Sequence, residues 1–252
     1  MPDPQWTDLG VMPASGSMHM ALDEVLLMRV AAGERGPTLR FWAWTSNTLV
    51  LGANQSVGNE VDLVEAGRLG FELTRRMSGG GTMVCEPGRT VTWSLYLPEW
   101  MVARMSFRES YAHLDGWALR TLRELGVEAE YRPINEIVIP GGKVAGAAQA
   151  RRRGAVLHHV TLAYSIEPEL VPRLIRIGRP ALGRGARSAE RVVASLSSLI
   201  SLTMAEFVAA LQEGFARERT VTSGELNGEE WAQAEALVTT KYATEEWIHR
   251  LP

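Results

Sequence analysis

Apolar residues along this chain recur with two different periods, one typical of helices and the other of strands. A spacing of three to four residues between apolar positions, often closed by glycine, predicts helices. This spacing occurs at residues 17–32, 60–68, 106–125, 170–177, 187–194, 204–217 and 229–239. Ser17 is the expected N-cap of the first helix, and Gly33 is its expected stop. Helices are therefore expected in both halves of the chain.

Short runs of β-branched and aromatic residues between turn-forming residues predict strands. They occur at residues 38–44, 48–51, 71–74, 82–85, 91–97, 136–139, 143–149 and 155–164. The first two are predicted to pair as an antiparallel hairpin, the turn at 86–89 joins the fourth and fifth, and residues 220–228 are expected to form a loop. This order indicates an α+β fold, with a largely antiparallel mixed sheet flanked by helices. We expect one domain over residues 1–252.

Three successive glycines, Gly79, Gly80 and Gly81, lie between two predicted strands and closely follow Arg75 and Arg76. Adjacent glycines lose much backbone freedom on folding, so they are typical of places where a ligand lies against bare backbone. Guanidiniums beside free N–H groups indicate an anion site, and a phosphate suits it best. The alternative is a glycine hairpin with two solvated arginines. The segment lacks the Gly-Lys-Ser/Thr of P-loop proteins and the dinucleotide-binding fingerprint.

Composition and charge exclude several classes of protein. Hydrophobic residues make up 46% and charged residues 22% of the chain, as in a globular protein. A net charge of −3 argues against non-specific binding to nucleic acid or a membrane surface, which needs a basic excess. One cysteine excludes an internal disulfide framework and fits a reducing compartment. Without a recognisable leader or an apolar run of about 20 residues, a cytoplasmic protein is expected.

Lysine is rare in this chain, because only Lys143 and Lys241 among its 26 basic residues are lysine. Codon usage accounts for an arginine bias, but a retained lysine also marks a place where a planar guanidinium would not fit. Lys143 opens a strand of small residues, which lets a ligand lie close to the sheet. His158 and His159 are neighbours on the next strand and point to opposite faces. At most one of them reaches a given site, and a structural role for both is the alternative.

Separated segments of the chain resemble the motifs of the lipoate-protein ligase A family, in its short type without a fused C-terminal domain. Residues 75–81 resemble the Arg-Arg-x-Ser/Thr-Gly-Gly-Gly loop of that family. Residues 135–137 and 142–148 are similar to its Asn-Asp and Gly-x-Lys segments. His159 falls on the second histidine of its Leu-His-His-Gly-Thr-Leu motif, and residues 241–247 resemble its Lys-Tyr-Ser-Thr-Glu-Glu-Trp ending. The likeness spans nearly the whole chain.

The resemblance implies a biotin/lipoate protein ligase-like catalytic domain and a reaction in two steps. A fatty-acid carboxylate, lipoate or octanoate, attacks the α-phosphate of ATP to give an acyl-adenylate, and an acceptor lysine then takes the acyl group. Lys143 would lie between the carboxylate and the α-phosphate. The residues implied in ATP and phosphate binding are Arg75, Arg76, Gly79, Gly80, Gly81, Thr82, Asn135 and Glu136, with Glu136 also implied as a Mg²⁺ ligand. Those implied in acyl binding are Trp44, Gly80, Gly146, Ala147 and His159.

The resemblance also implies protein partners. The acceptors would be lipoyl domains of 2-oxoacid dehydrogenase complexes or the glycine-cleavage H protein. In the ligases a small C-terminal domain assists adenylation, so a separately encoded accessory domain is a further expected partner. The alternative is a non-catalytic chain that binds preformed acyl-adenylate or lipoyl domains. Biotin ligation is close in chemistry, but the segments around Lys143 and Lys241 fit the lipoate branch better.

The chain departs from the family pattern at several positions. Cys85 and Glu86 stand where the family usually has His-Asp, Glu136 replaces Asp, and Thr92 replaces Asn. Related transferases of this fold move octanoyl groups through a thioester on a cysteine. That cysteine is expected just before the strand that begins at Glu136, where residues 131–134 contain no thiol. Cys85 is expected to be an inert thiol, and octanoyl or lipoyl transfer without ATP is the alternative function.

Overall fold

The computed structural model describes residues 4–177, 185–189 and 192–251. The helices are α1 (Gly16–Ala31), α2 (Val57–Glu60), α3 (Leu63–Arg68), α4 (Phe107–Glu124), α5 (Leu170–Leu174), α6 (Met204–Ala216), α7 (Gly228–Leu237) and α8 (Glu245–Ile248). The strands are β1 (Trp6–Ala14), β2 (Thr38–Trp44), β3 (Thr48–Leu51), β4 (Glu72–Arg75), β5 (Met83–Cys85), β6 (Thr90–Pro98), β7 (Glu130–Arg132), β8 (Glu136–Ile139), β9 (Gly142–Arg152), β10 (Ala155–Ala163) and β11 (Val221–Ser223).

Two sheets organise these strands. The large sheet has the order β11-β1-β2-β6-β10-β9-β8-β7, and the small sheet has the order β4-β3-β5. Five of the seven pairings in the large sheet are antiparallel, and the parallel ones join β1 to β2 and to β11. The predicted α+β fold with a largely antiparallel sheet is therefore confirmed.

Helices cover both faces of the large sheet. On one face α4 and α6 pack on its central strands, where Trp93 of β6 meets Trp117 of α4 edge to face at 5.5 Å between ring centroids. On the other face α1 packs on β6 and β10. A further core lies between the small sheet, α3 and α5. His158 and His159 follow this division, since His158 bonds Asp115 of α4 and His159 bonds Asp23 of α1, as their predicted opposite orientation requires.

Local signals placed several element ends correctly. The predicted bounds of β2, β3 and β8 agree with the structure. Helix α4 begins with a capping box in which Ser106 and Glu109 each bond the other's backbone N–H, and such a box satisfies two free donors. At α1 the N-cap is Ser15 rather than Ser17, because the Ser15 side chain accepts from the N–H of Met18. No helix within the described residues is long and apolar enough to cross a membrane.

Long-range pairing overturned several other predictions. The predicted hairpin between β2 and β3 is wrong, because β2 belongs to the large sheet and β3 to the small one, and β5 and β6 are divided in the same way. The helix predicted at residues 187–194 is also wrong over its described residues, because Val193 forms a parallel bridge with Lys143 near the start of β9. Residues 190–191 lie outside the described residues. Strand β1 was missed because Gly10 and Pro13 interrupt its alternation, and β11 because it is only three residues long.

Candidate functional site

A cavity of about 360 Å³, here called the central cavity, lies where β8 and β9 face the loop of residues 77–82, here called the glycine loop. Lys143, Gly80 and Gly81 line this one space, although they come from distant parts of the sequence. The other predicted site residues that line it are Arg76, Thr82, Asn135, Glu136, Gly146 and Ala147. Apolar side chains close the same space, namely Val84, Ile166, Val171, Ile175, Ile177 and Val193. The cavity thus has polar and apolar parts.

Charge in the central cavity is mainly positive. Its described lining contains the cations Arg76, Lys143 and Arg187 and a single carboxylate, Glu136. Lys143 and Glu136 come from adjacent antiparallel strands, and the Lys143 Nζ lies 3.2 Å from the Glu136 Oε1. The Lys143 side chain is 28% exposed, whereas that of Glu136 is 8% exposed. An anionic ligand therefore meets an accessible ammonium whose orientation Glu136 restricts.

Lys143 lies over a strand position that has no side chain. A Cβ atom at Gly146 would lie 2.7 Å from the Lys143 Nζ and 2.8 Å from its Cε, which is too close for unbonded atoms. Gly146 has an ordinary extended backbone, so no turn requires a glycine at this position. The absence of a side chain instead leaves room for the Lys143 amine. The residues around it, Ala145, Ala147 and Ala148, are also small and line the cavity.

Gly146→Ala is expected to reduce the rate of any reaction that uses the Lys143 amine about tenfold or more while changing the free energy of unfolding by less than about 1 kcal/mol. The added methyl group displaces the end of a flexible, partly exposed lysine, which is cheap for the fold but moves the reacting group. The rate and urea denaturation of the same preparation measure the two effects. Gly67→Ala, which adds the same methyl group outside the cavity at a position with no other atom within 4 Å, is the matched control. An unchanged rate would contradict the assigned position of the amine.

Arg76 holds the glycine loop from within. Its buried guanidinium donates to the carbonyl oxygens of Gly79 at 2.7 Å, Gly81 at 2.7 Å and Val50 at 3.1 Å, and to the Ser78 Oγ at 3.0 Å. These bonds satisfy the cation, so Arg76 adds positive charge beside the loop amides without being a free ligand for a phosphate. Gly79 does not line the central cavity.

A group of polar residues behind the loop was not predicted. The buried Glu60 carboxylate accepts from the backbone N–H of Ser188 at 3.0 Å and from its hydroxyl at 2.5 Å. The Ser188 Oγ in turn accepts from the Thr82 N–H at 2.9 Å. Gln55 accepts from the Thr82 hydroxyl at 3.0 Å and from the Gly52 N–H at 2.7 Å. Residues 185–189 are thereby fixed against the glycine loop, a tertiary contact that no local sequence signal announces.

Arg75 does not face the central cavity. Its guanidinium is fully buried and donates to the carbonyl oxygens of Gly52 at 2.8 Å, Gln55 at 2.6 Å, Trp247 at 3.1 Å and Ile248 at 2.6 Å. Arg75 therefore lies apart from the cavity that most of the other predicted phosphate-binding residues line. The residue instead joins the end of β4 to α8 and to the turn after β3.

Trp44 and His159 also lie outside the described lining of the central cavity, so the structure does not bring them together there with the other predicted acyl-binding residues. Trp44 is buried and donates its indole N–H to the Thr92 Oγ1 at 3.1 Å. His159 is buried between two partners, since its Nδ1 lies 2.8 Å from the Asp23 carboxylate and its Nε2 lies 2.7 Å from the Ser78 Oγ. His159 therefore ties the glycine loop to α1.

Asp23 is the centre of a buried polar network on the α1 side of the sheet. Its carboxylate accepts from Arg40 at 2.8 Å, Ser94 at 2.9 Å and Tyr96 at 2.5 Å, in addition to its contact with His159. Burial acts to raise the pKa of Asp23, but the hydrogen bond from His159 and the charge of Arg40 outweigh it and lower this pKa. Burial lowers the pKa of His159, so its imidazole is neutral. The network supports the glycine loop with a fixed pattern of donors and acceptors.

His19 extends this network in a neutral form. Arg40 can only donate, so the His19 Nδ1 accepts from it at 3.0 Å and the Nε2–H donates to the Ala43 carbonyl at 3.2 Å. Burial and the charge of Arg40 lower the pKa of His19 to about 3. Protonation of the folded protein would place two buried cations against each other.

We expect stability to fall with pH below about 6.5. The unfolded chain then binds a proton at His19 that the folded chain does not take up, until the pH reaches about 3. Between pH 6.5 and 5 this residue alone is expected to lower the free energy of unfolding by about 2 kcal/mol. Urea denaturation across this range measures the slope. His19→Gln, which offers one donor and one acceptor, should flatten it, whereas the partly exposed His249→Gln should not. An equal slope for the two variants would contradict the assignment.

Cys85 is buried within the core and does not line the central cavity. Burial raises the pKa of its thiol well above the usual range, which keeps the sulfur protonated. The expectation of an inert thiol agrees with this position. Among the residues that the structure describes, no group of three or more His, Cys, Asp or Glu side chains could hold a metal ion. A Mg²⁺ ion in the central cavity would find only the Glu136 carboxylate in the described lining, besides oxygens of a bound phosphate.

Comparisons with known proteins agree with this architecture. Residues 15–216 match the family model described as the lipoyl protein ligase A/B catalytic domain. The chain is 32% identical to "Octanoyltransferase LipM" of Kyrpidia tusciae, over 97% of this chain and 98% of the relative. Its fold is similar to that of a bi-partite lipoate protein ligase from Thermoplasma acidophilum, with a TM-score of 0.82, 24% identity and 98% of both chains covered. It is also similar to a lipoate-protein ligase A bound with ATP, with a TM-score of 0.82, 23% identity and 99% and 100% of the two chains covered.

The extent of these matches, together with a central cavity that combines an accessible lysine with bare glycine backbone, defines the class of protein. The chain belongs to the lipoyl protein ligase A/B catalytic domain family. It is an enzyme of lipoyl or octanoyl transfer.

Proposed function

We propose that this protein activates lipoate or octanoate with ATP and transfers the acyl group to a lysine of a lipoyl-acceptor domain. The observation that supports this reaction best is the central cavity, in which Lys143 and the Gly80–Gly81 backbone adjoin a wall of apolar side chains. A fatty acid requires both environments, because its chain is apolar and its carboxylate must meet a second anion during activation. Cations that offset this repulsion are the main requirement of the first step.

In the first step a carboxylate oxygen of the acid attacks the α-phosphorus of ATP, and pyrophosphate leaves with the bonding electron pair. The Lys143 ammonium lies between the two anions and donates to both, which it can do because its three donors are not confined to a plane. The backbone N–H groups of Gly80 and Gly81 and the charge of Arg76 stabilise the phosphate oxygens. Mg²⁺, when bound, neutralises further phosphate charge, and Glu136 is the carboxylate that would hold it.

In the second step the neutral amine of the acceptor lysine attacks the acyl carbonyl, an amide forms, and AMP leaves with the electrons of the acyl–oxygen bond. The amine loses a proton in this step, and solvent takes it up. The expected acceptors are lipoyl domains of 2-oxoacid dehydrogenase complexes or the glycine-cleavage H protein. The bi-partite lipoate protein ligase from Thermoplasma acidophilum, whose fold is similar, has its own E2 lipoyl domain. This similarity supports a protein acceptor of the same kind.

A second candidate function is octanoyl transfer without ATP. The name of the Kyrpidia tusciae relative favours it, because that protein is an octanoyltransferase. A thioester mechanism needs an accessible thiol, however, and Cys85 is fully buried outside the central cavity. We therefore place adenylation first and retain direct transfer from an acyl thioester as the alternative.

ATP–pyrophosphate exchange by the purified chain distinguishes the two functions. We expect exchange that depends on lipoate or octanoate, measured with and without an added accessory domain of a bi-partite ligase, and mass spectrometry should find the retained acyl-adenylate. Absence of exchange in both arms, together with transfer from octanoyl carrier protein to an acceptor domain, would refute adenylation. A Cys85→Ser variant completes the design, because loss of that transfer in the variant would restore the thioester route.

A further inference from the structure

A second cavity, of about 660 Å³ and here called the basic cavity, adjoins the glycine loop. Ser78 and Gly79 line it, whereas the next two residues of the loop line the central cavity. Strand β9 is divided in the same way, since residues 143–148 line the central cavity, whereas residues 149–152 and the turn residue Arg153 line the basic cavity. The two cavities are therefore neighbours along both a loop and a strand.

Positive charge dominates the basic cavity. Its lining contains five cations and one carboxylate, a balance of +4 in a chain whose net charge is −3. The carboxylate, Glu24, is already neutralised, because the Lys241 Nζ lies 2.6 Å from it. The other four cations are Arg151, Arg152, Arg153 and Arg250. Such a concentration of charge in an acidic chain attracts a negatively charged partner.

Three of these arginines are free to bind a partner. Arg152, Arg153 and Arg250 are exposed, and none of them forms an ion pair within the described part of the chain. Arg152 is the last residue of β9, and Arg153 lies in the turn to β10, where it adopts a left-handed φ of 48°. Arg250 lies beyond α8, with its guanidinium carbon 4.8 Å from the ring centroid of Trp247. The cations thus come from two separate segments rather than from one compact anion pocket.

We propose that the basic cavity is the docking surface for an acidic protein domain that presents the acceptor lysine to the central cavity. This inference rests on the proposed function, because the second step requires an amine from another protein to reach the acyl group beside Lys143. A domain that offers this lysine must bind next to the central cavity, and the basic cavity is the adjoining charged surface. Carboxylates around the target lysine would pair with the arginines and steer the encounter. Charges spread over two segments suit a protein surface better than a single small anion.

Binding of a purified, unlipoylated lipoyl domain with a negative net charge tests the proposal directly. In the absence of ATP, we expect Arg152→Glu/Arg153→Glu to raise the Kd of this domain about tenfold or more, with a weaker salt dependence than the parent chain. The matched control is Arg104→Glu/Arg132→Glu, which makes the same charge change at exposed arginines that line neither cavity. Its Kd should stay within about twofold of the parent.

Kinetics separate docking from chemistry. With preformed octanoyl-adenylate as donor, the Arg152→Glu/Arg153→Glu variant should raise the KM for the lipoyl domain about tenfold and keep kcat within about twofold. Equal Kd values for this variant and its matched control would overturn the proposal. Displacement of the domain by an RNA oligonucleotide at equal charge concentration would also overturn it, since the surface would then bind any polyanion.

Failure of the proposed function has a different signature. ATP–pyrophosphate exchange needs no acceptor, so its absence would refute adenylation even when the domain binds in a charge-dependent way, and that binding would still support the docking surface. Thermal unfolding of each variant confirms that the fold is intact, as expected for substitutions of exposed side chains.

Discussion

Lys143→Ala is expected to slow formation of the acyl-adenylate by about 10²–10³-fold while leaving the fold intact. The ammonium is the accessible cation of the central cavity that lies beside bare strand backbone, and its removal leaves the carboxylate and the α-phosphate to repel each other. The side chain is 28% exposed, so water replaces it without a large loss of packing. ATP–pyrophosphate exchange and thermal unfolding of the same preparation measure the two effects.

A charge-conserving variant sharpens this prediction. The exchange rate of Lys143→Arg should exceed that of Lys143→Ala by less than about tenfold. A planar guanidinium does not reproduce the position that the ammonium takes over Gly146. Arg104→Ala, at an exposed arginine outside both cavities, should exchange at the parent rate. A parent-like exchange rate for Lys143→Ala would show that the first step does not use this ammonium.

Arg75→Met is expected to destabilise the fold by about 3–5 kcal/mol and to lower Tm by about 10 °C. The methionine fills much of the space but leaves the carbonyl oxygens of Gly52, Gln55 and Ile248 buried without their donor. The tryptophan fluorescence of the folded state should also change, because Trp247 lies in α8, which Arg75 holds. Thermal unfolding and fluorescence provide the measurement.

The control for Arg75 is an arginine that is exposed rather than buried. Arg68 is 59% exposed and pairs with Glu65 at the surface, so Arg68→Met should lower stability by less than about 1 kcal/mol. An Arg75→Met protein that melts with the parent but loses affinity for ATP would restore the phosphate-binding role that the sequence predicted.

Sequence patterns predicted the strands better than their partners. The runs that became β2, β3 and β8 are rich in β-branched, aromatic or apolar residues, which identifies a strand whatever it pairs with. The turn between β2 and β3 gave no sign that the chain leaves one sheet for another, because turn residues report local geometry only. The helix prediction for the described part of residues 187–194 was wrong for a related reason, since Lys143, near the start of β9, pairs with Val193 in an extended bridge.

The candidate site residues show the same difference between local signals and long-range contacts. Lys143 and Gly80 were predictable because their types are unusual for their positions, and Glu136 was predictable from the family resemblance. The central cavity brings the three together. The burial of Arg75 was not predictable, because a buried arginine that donates to carbonyl groups has the same local sequence as one that binds a phosphate. Ser188 carries no local signal, since its role depends on a contact with Glu60, 128 residues away.

The glycine loop lies between two cavities, and this has a thermodynamic consequence for binding. Ser78 and Gly79 line one cavity and Gly80 and Gly81 line the other, so a shift of this hydrogen-bonded backbone on one side is transmitted to the other side. Linkage then requires reciprocity. If the bound nucleotide intermediate raises the affinity for the acceptor, the bound acceptor raises the affinity for that intermediate by the same factor.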